Sequence, residues 1–395
     1  MKENVKKVPL GKLAEFKSGG TPRKSNKDYW SGDLPWVSAK DLKSLEVVDS
    51  IDHLSPTGFA AAKIAPDGSL LILVRGMTLH KDVPVCLAGR DVAFNQDIKA
   101  LIVSEKISSK YLLYFLHSRK NRLLELVDSA GHGTGRLNTD SLKAFPVLVP
   151  PISVQVAIAD LLSTWDEAIE KTERLIQAKE RRFQWLLRDT MSDSAKGNIN
   201  NGRKKVAIGS FLTESRIPDT VNDPNKRLTV RLHLKGVEAR DVRGTESSDA
   251  TAYFIRKSGQ LVYGKQNIFR GAVGIIPPEL DGYASTQDIP AFYIDNTVDQ
   301  DWLLFLFSYP GFYKKLEIYA SGSGSKRLHS KDLFKIHISI PNLEAQKKLA
   351  DGLSLARSEI DFLKDLTDRY KSQKRGLMQK LLTGQWRVRV DKEVA

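Results

Sequence analysis

The chain contains a diverged copy of itself, and that duplication constrains its fold more than any other feature. Gln96-Asp97-Ile98 recurs 191 positions later as Gln287-Asp288-Ile289, and five of eight positions are identical between 93–100 and 284–291. The same offset aligns Gly131, Gly133, Arg136 and Leu137 with Gly322, Gly324, Arg327 and Leu328. It also aligns Gln155, Ala159, Asp160, Leu162 and Ser163 with Gln346, Ala350, Asp351, Leu353 and Ser354. Chance identities fall at about one position in fifteen for ordinary composition. One offset held through three windows therefore means two modules of one design.

Each half has the same order of parts. Short apolar runs between Gly, Pro and Asp turns come first, and Leu70–Val74, Lys99–Val103, Gln260–Tyr263 and Ala291–Ile294 read as strands. A helical patch follows, from Tyr111 in one half and Trp302 in the other. A Gly-rich loop comes next, SAGHGTGRLN or ASGSGSKRLH, then a last strand that stops at Pro150-Pro151 or Pro341. Each half closes on one long helix. Leu162, Trp165, Ile169, Thr172, Ile176, Lys179, Phe183, Leu186 and Thr190 keep a heptad-like frame, and Leu353, Ala356, Ile360, Leu363, Thr367, Tyr370, Lys374, Leu377 and Leu381 repeat it. Such a frame calls for helix–helix packing. Its polar members either set the register or face another protein. The boundaries follow: a first α/β module at 1–151, a helix at 152–191, a polar Gly/Asn-rich linker at 192–204, a second module at 205–341 and a closing helix at 342–385.

The residues supply no catalytic set. There is no GxxxxGK[ST] phosphate loop, no GxGxxG between a strand and a helix, no HExxH, and no Asn/Asp-Pro-Pro-aromatic turn of the kind that holds a target amine. Cys86 is the sole cysteine and sits in the apolar string VPVCLAG, as a small buried hydrophobe would. A nuclease-like set can be assembled only from Asp67, Asp97 and Lys99, and the second copy has Pro290 where the lysine would stand. Lys and Arg number 61 against 47 Asp and Glu, a formal charge of +14. Two modules, two rods and excess positive charge suit a bipartite anionic ligand, and DNA combines that charge with base edges that can be read. The N-terminal string MKENVKKVPLGKL lacks a signal peptide's apolar stretch, so a cytoplasmic protein with no membrane association is expected.

Three segments then carry a family resemblance. SGGTPRKSNKDYWSGDLPWVSAKDL, from Ser18 to Leu42, is similar to the opening of target-recognition domains in the specificity subunits of type I restriction–modification systems. The Gly-rich loop with its Arg-Leu, followed by a strand, Pro-Pro, Gln and a long helix, resembles the conserved region after each such domain. GLMQKLLTGQWRV resembles the closing helix. The family's helix often opens Pro-Pro-Leu-x-Glu-Gln; here Val154 and Ala345 stand at the Glu position, while Gln155 and Gln346 are kept. The resemblance implies an α+β fold of two repeated α/β recognition domains, separated and joined by two long helices in an antiparallel coiled coil. It implies a subunit without catalysis or cofactors of its own, which reads a split duplex DNA target. Its partners would be two methyltransferase subunits using S-adenosylmethionine and restriction–translocase subunits using ATP and Mg²⁺. The helix pair would act as a ruler for the gap in the target. The second module lacks the GGTP…YW…PWV opening, so two dissimilar half-sites are expected. Two readings from other classes compete: a self-sufficient DNA-modifying or DNA-cleaving enzyme, and a structural coiled-coil adaptor.

The candidate DNA-binding residues fall in matching places. In the first module they are Thr21, Arg23, Lys24 and Lys27 on a basic loop beside Gly19-Gly20, then Arg75, Asn95, His132, Thr134 and Arg136. In the second they are Lys265, Gln266, Arg270, Thr286, Ser323, Ser325, Lys326 and Arg327. Gly19 and Gly20 are expected to let backbone approach a phosphate. Residues shared by both copies, such as Asp97/Asp288 and Arg136/Arg327, suit scaffold or phosphate roles. Residues that differ, such as Asn95/Thr286, suit base reading. Leu162, Trp165, Ile169, Phe183, Leu353, Ile360, Tyr370 and Leu377 are the packing residues expected on the partner helices.

Overall fold

The computed structural model describes residues 6–129, 133–199, 202–242, 252–322 and 324–388. The chain folds as two compact units: residues 1–172 with 366–395, and residues 173–365. Four helices organise them: α1 (Ser109–Ser118), α2 (Ile152–Lys196), α3 (Gln300–Ser308) and α4 (Leu343–Leu381). Both units mix sheet and helix, the expected α+β class.

In unit 1 the apolar run Leu70–Leu73 is the central strand of a five-stranded sheet. The order is Ala14–Ser18, Ile98–Val103, Leu70–Leu73, Val85–Ala88, Glu46–Val47. All four residues of the run are inaccessible to solvent, which requires cover on both faces of the sheet. Helix α1 packs beside Val85–Ala88 with Tyr111, Leu112, Phe115 and Leu116 buried. In unit 2 the matching run Leu261–Tyr263 lies inside a four-stranded sheet ordered Leu212–Ser215, Ala291–Ile294, Leu261–Tyr263, Val273–Ile275. The register is the same: Leu71 stands opposite Ala100, and Val262 opposite Ala291.

One buried glutamine ties each long helix to its unit. The Gln155 side chain accepts from Ser108 N at 2.8 Å and donates to Pro150 O at 2.8 Å and Lys106 O at 3.2 Å. Gln346 accepts from Asp299 N at 2.8 Å and donates to Pro341 O at 2.9 Å and Thr297 O at 3.3 Å. Every partner is shifted by the same 191 positions. Both side chains have no solvent exposure, so each amide must find its partners inside the protein. Ser108 and Asp299 in turn cap α1 and α3.

The heptad frame is used within each unit. In unit 1 the Trp165 and Tyr370 rings meet edge to face at 5.6 Å, and Lys374 pairs with Asp166. In unit 2 Lys179 pairs with Glu359 at 2.6 Å and Lys364 with Glu180 at 2.7 Å, while the Arg357 guanidinium lies over the Phe183 ring. Position numbers rise along α2 as they fall along α4, the antiparallel sense. The lysines of the frame therefore face acids of the other helix and set register. Leu162 is buried in the unit 1 core with Leu377 packed against it, and Phe183, Leu353 and Ile360 are buried in the unit 2 core. Ile169 is half-buried.

The expected linker begins too early. Helix α2 runs through Lys196 and ends at Gly197 in the left-handed region (φ +71°). Ser194 is buried and is bonded by Arg203. The 192–196 stretch is polar yet helical because it packs there, which its composition does not announce.

Candidate nucleic-acid interface

Each unit presents an edge built on the shared Gln-Asp-Ile turn. In unit 1, Asp97 O accepts from Val74 N at 2.8 Å, and Val74 O accepts from Leu137 N at 2.9 Å. In unit 2, Asp288 O accepts from Lys265 N at 2.9 Å, and Lys265 O accepts from Leu328 N at 3.0 Å. These groups match at the 191 offset, so the strand end, the turn and the Gly-rich loop form one frame used twice.

Asn95 and Thr286 close that turn in both units and are not its point of difference. Asn95 Oδ1 accepts from Asp97 N at 3.1 Å, and Thr286 Oγ1 accepts from Asp288 N at 3.3 Å. Asn95 is also buried. A short polar side chain that bonds the N–H two residues on is a turn device. Asn and Thr both serve, and the expectation that their difference marks base reading is corrected accordingly.

The basic loop of unit 1 is pinned rather than open. Trp36 Nε1 donates to Gly20 O at 3.2 Å, Trp30 Nε1 to Arg23 O at 3.3 Å, and Gly20 N to Phe94 O at 2.8 Å. The two indoles meet edge to face at 5.1 Å. A Cβ on Gly19 would stand 2.1 Å from Asn95 O. Gly19 is therefore required by its close approach to the neighbouring strand, while a Cβ on Gly20 would meet nothing nearer than Lys63 Cγ at 3.8 Å. Thr21 Oγ1 donates to Gln96 Oε1 at 2.7 Å and joins the loop to the turn. Thr21, Arg23, Lys24 and Lys27 all project into solvent from this fixed backbone.

Arg75 and Arg136 stand directly opposite one another on adjacent strands, and both are exposed. Neither guanidinium has an ion-pair partner among the described residues. Thr134 is half-buried beside them, and His80 Nε2 bonds Gly133 O at 2.6 Å to hold the loop. His132 and Ser323 lie outside the described residues.

Unit 2 fills the matching positions with Gln266 and Arg327. With its amide oxygen turned to Arg327, Gln266 accepts from Nη2 at 2.7 Å and Nε at 2.9 Å. Arg327 also lies 3.9 Å from Asp288, and Lys326 pairs with Glu317 at 2.9 Å. Lys265 is half-buried, and its ammonium pKa is lowered chiefly by burial, against the pull of Asp288 and Glu214. Ser325 and Arg270 are exposed, Arg270 on a separate turn that ends at Gly271.

Sequence reasoning missed Arg256, which supports this edge from below. It is 1% exposed and donates to Ser285 Oγ at 2.8 Å, Ser215 O at 2.9 Å and Ile289 O at 2.9 Å. Burial lowers its pKa to about 10. It braces the Gln-Asp-Ile turn from both sides, since its Nη2 also reaches Thr286 O at 3.4 Å. Unit 1 has Ala65 at the matching position, so the duplication carries no trace of this device. The reading also passed over Trp185 and Arg188. With Arg181, Arg357, Tyr309 and Pro310 they line a groove of about 990 Å³ in unit 2.

The residues of the nuclease-like set do not converge. Asp67 precedes the Leu70–Leu73 strand and Asp97 bonds Val74 N beyond its far end, so the strand's length of roughly 13 Å lies between them. Among the described residues, no three His, Cys, Asp or Glu side chains gather as a metal site, and no helix is long and apolar enough to cross a membrane.

Comparison with known proteins decides the family. The description "type I restriction modification DNA specificity domain" matches residues 2–180 and 272–369, in both copies of the repeat. The chain belongs to this specificity-domain family. It is 29% identical over 183 residues to the EcoR124I/EcoR124II type I restriction enzyme specificity subunit of Escherichia coli, covering 45% of each chain. It is 30% identical over 177 residues to the MjaIX specificity subunit of Methanocaldococcus jannaschii, covering 43% of this chain and 39% of that one. These matches span less than half the length of either relative. In fold the chain is similar to a type I restriction–modification S subunit from M. genitalium, with TM-score 0.58, 15% identity and 96% of each chain covered. It is also similar to a chain from a structure of type I system assembly, with TM-score 0.60, 14% identity and 95% and 97% covered.

Proposed function

We propose that this chain is the DNA-specificity subunit of a type I restriction–modification complex. It reads a bipartite, asymmetric duplex target, one half-site per unit, and has no catalysis of its own. The observation that carries the reading is the frame used twice. Two units hold the same turn, strand end and loop by matched hydrogen bonds, and each presents an arginine edge to solvent. The lysines and arginines of the unit 1 loop, with Arg136 and Arg327 at the two edges, supply sequence-independent affinity through phosphate. Polar groups between them supply preference.

The partners in this reading are duplex DNA, two methyltransferase subunits and restriction–translocase subunits. S-adenosylmethionine, ATP and Mg²⁺ belong to those partners, and the complex works in the cytoplasm. Leu162, Phe183, Leu353 and Ile360 are buried and the other packing residues of α2 and α4 half-buried within their own units, so a protein partner meets the outer helix faces. The groove beside Trp185 and Arg188 is one such surface.

The test is methylation mapping of host DNA with and without the gene for this chain. Loss of methylated adenine in one split, asymmetric motif is the expected result. A palindromic motif would count against two dissimilar half-sites. Turnover by the purified chain alone with DNA, Mg²⁺, ATP and S-adenosylmethionine would instead favour a self-sufficient enzyme.

A further inference from the structure

We propose that position 75 in unit 1 and its counterpart 266 in unit 2 set how strictly one base of each half-site is chosen. Arg75 selects a guanine, whereas Gln266 leaves its base loosely specified. Arg136 and Arg327 anchor phosphate in both units. The inference rests on the DNA-binding reading above and adds residue roles to it.

The argument starts from the repeated frame. Val74 and Lys265 are locked by the same two backbone hydrogen bonds. Arg75 and Gln266, the next residues, therefore leave equivalent strand ends. In unit 1, Arg75 faces Arg136 across the strand pair. Like charges directly opposite on a sheet repel, and neither arginine is relieved by an acid among the described residues. Two guanidinium forks side by side hold unfilled donors and no acceptor, an arrangement completed by an acceptor-rich ligand. Duplex DNA offers two kinds of acceptor there: phosphate oxygens, present at every sequence, and the O6/N7 pair of guanine, present at one base.

The copies divide these roles. Arginine is kept at 136 and 327, although the two units differ in the rest of their surfaces. A contact needed whatever the sequence is a phosphate contact. The neighbouring position changes from Arg to Gln, so that is where preference differs. Arg75 has a free planar fork, the geometry that pairs with guanine O6 and N7. Gln266 accepts two N–H groups of Arg327 on its amide oxygen. Only its N–H₂ donors are left for DNA. A donor without an acceptor beside it is satisfied by a purine N7 or a thymine O4, and discriminates poorly. Arg327 is further drawn toward Asp288 at 3.9 Å, so the unit 2 edge is less positive than the unit 1 edge.

The experiment uses the whole chain assembled with its methyltransferase partner and a pool of randomised duplexes at fixed salt. R75Q is expected to lose preference for guanine at one position of one half-site, by about 5- to 150-fold. The other half-site stays unchanged. R75K keeps the charge and, since an ammonium also reaches guanine O6 and N7, is expected to keep part of that preference. Q266R is expected to gain a guanine preference in the second half-site. R136Q is expected to weaken all duplexes alike and to reduce the slope of log affinity against log salt by about one. If R75Q weakens every duplex equally, Arg75 is a phosphate contact and the inference falls while DNA binding stands. If the wild-type complex shows no sequence preference at all, both this inference and the underlying function fail.

Discussion

The two units share a hydrogen-bond frame and differ in what braces it. In unit 1 the Gln-Asp-Ile turn is steadied by Thr21, reaching from a loop that two tryptophan N–H groups hold in place. That loop leads into a second, four-stranded sheet with its own small core of Trp36, Leu54 and Ala93. In unit 2 the same turn is held from beneath by the buried Arg256, and a three-stranded ribbon of Ile217–Pro218, Tyr253–Ile255 and Ala284–Thr286 replaces the extra sheet. A repeated frame thus keeps its geometry while its surroundings diverge, because only the turn, the strand end and the helix junction must match. The surface that meets a ligand is free to change around them.

The strongest way to break the equivalence is at the glutamine junctions. Gln155→Ala and Gln346→Ala each remove three hydrogen bonds and strand buried backbone groups. Each is expected to cost roughly 3 kcal/mol, with faster amide hydrogen exchange at Ser108 and Asp299 respectively. Costs that differ by more than about 2 kcal/mol between the units would show that the junction is not shared in energy as it is in geometry. The next effect should belong to unit 1 alone. Gly19→Ala drives a Cβ against Asn95 O and is expected to lose about 1–3 kcal/mol in chemical denaturation. Gly324→Ala, with nothing within 4 Å, should stay within about 0.5 kcal/mol.

A smaller contrast concerns the helix seam. Lys374 and Asp166 are less exposed than Lys179 and Glu359, and Asp166 also accepts from Tyr114 Oη at 2.7 Å. Lys374→Met should therefore cost about 1–2 kcal/mol and Lys179→Met less than about 1 kcal/mol, after allowing for solvent screening. Equal losses would remove the distinction. The smallest effect should be a pH dependence confined to unit 1. Buried His117 hydrogen-bonds Val85 O at 2.8 Å, and desolvation lowers its pKa below the ordinary 6.5. Its unfolded form binds a proton first as pH falls. The associated stability is thus complete above about 6.5 and is lost as pH drops toward the folded value. Ser308 stands at the matching place in unit 2. Hydrogen exchange at pH 7.5 and 5.5 should show unit 1 loosening more, and H117Q should flatten the difference.

Much of this was legible in the residues. The strands at Leu70, Lys99, Leu261 and Ala291 and both long helices follow from apolar periodicity, and the 191-residue offset pairs Gln155 with Gln346. Less of the candidate interface was legible. Asn95 looked like a reader because it differs from Thr286, yet both side chains reach the same backbone N–H. Gly19 looked like an opening for phosphate, yet it makes room for the neighbouring strand. Arg256 had no signal, since an isolated arginine in YFIRKSG reads as exposed until four acceptors are found around it.

Sequence alone determined the duplication, the apolar runs, the helix frames and the excess of positive charge, because these are properties of residue type and spacing. Tertiary structure decided which polar side chains hold a turn and which are left free at an edge. It also decided that the frame lysines meet acids across the helix pair. The physical reason is that a polar group's role depends on the donor or acceptor within about 3 Å of it. In this chain that neighbour often comes from a strand or helix dozens of residues away.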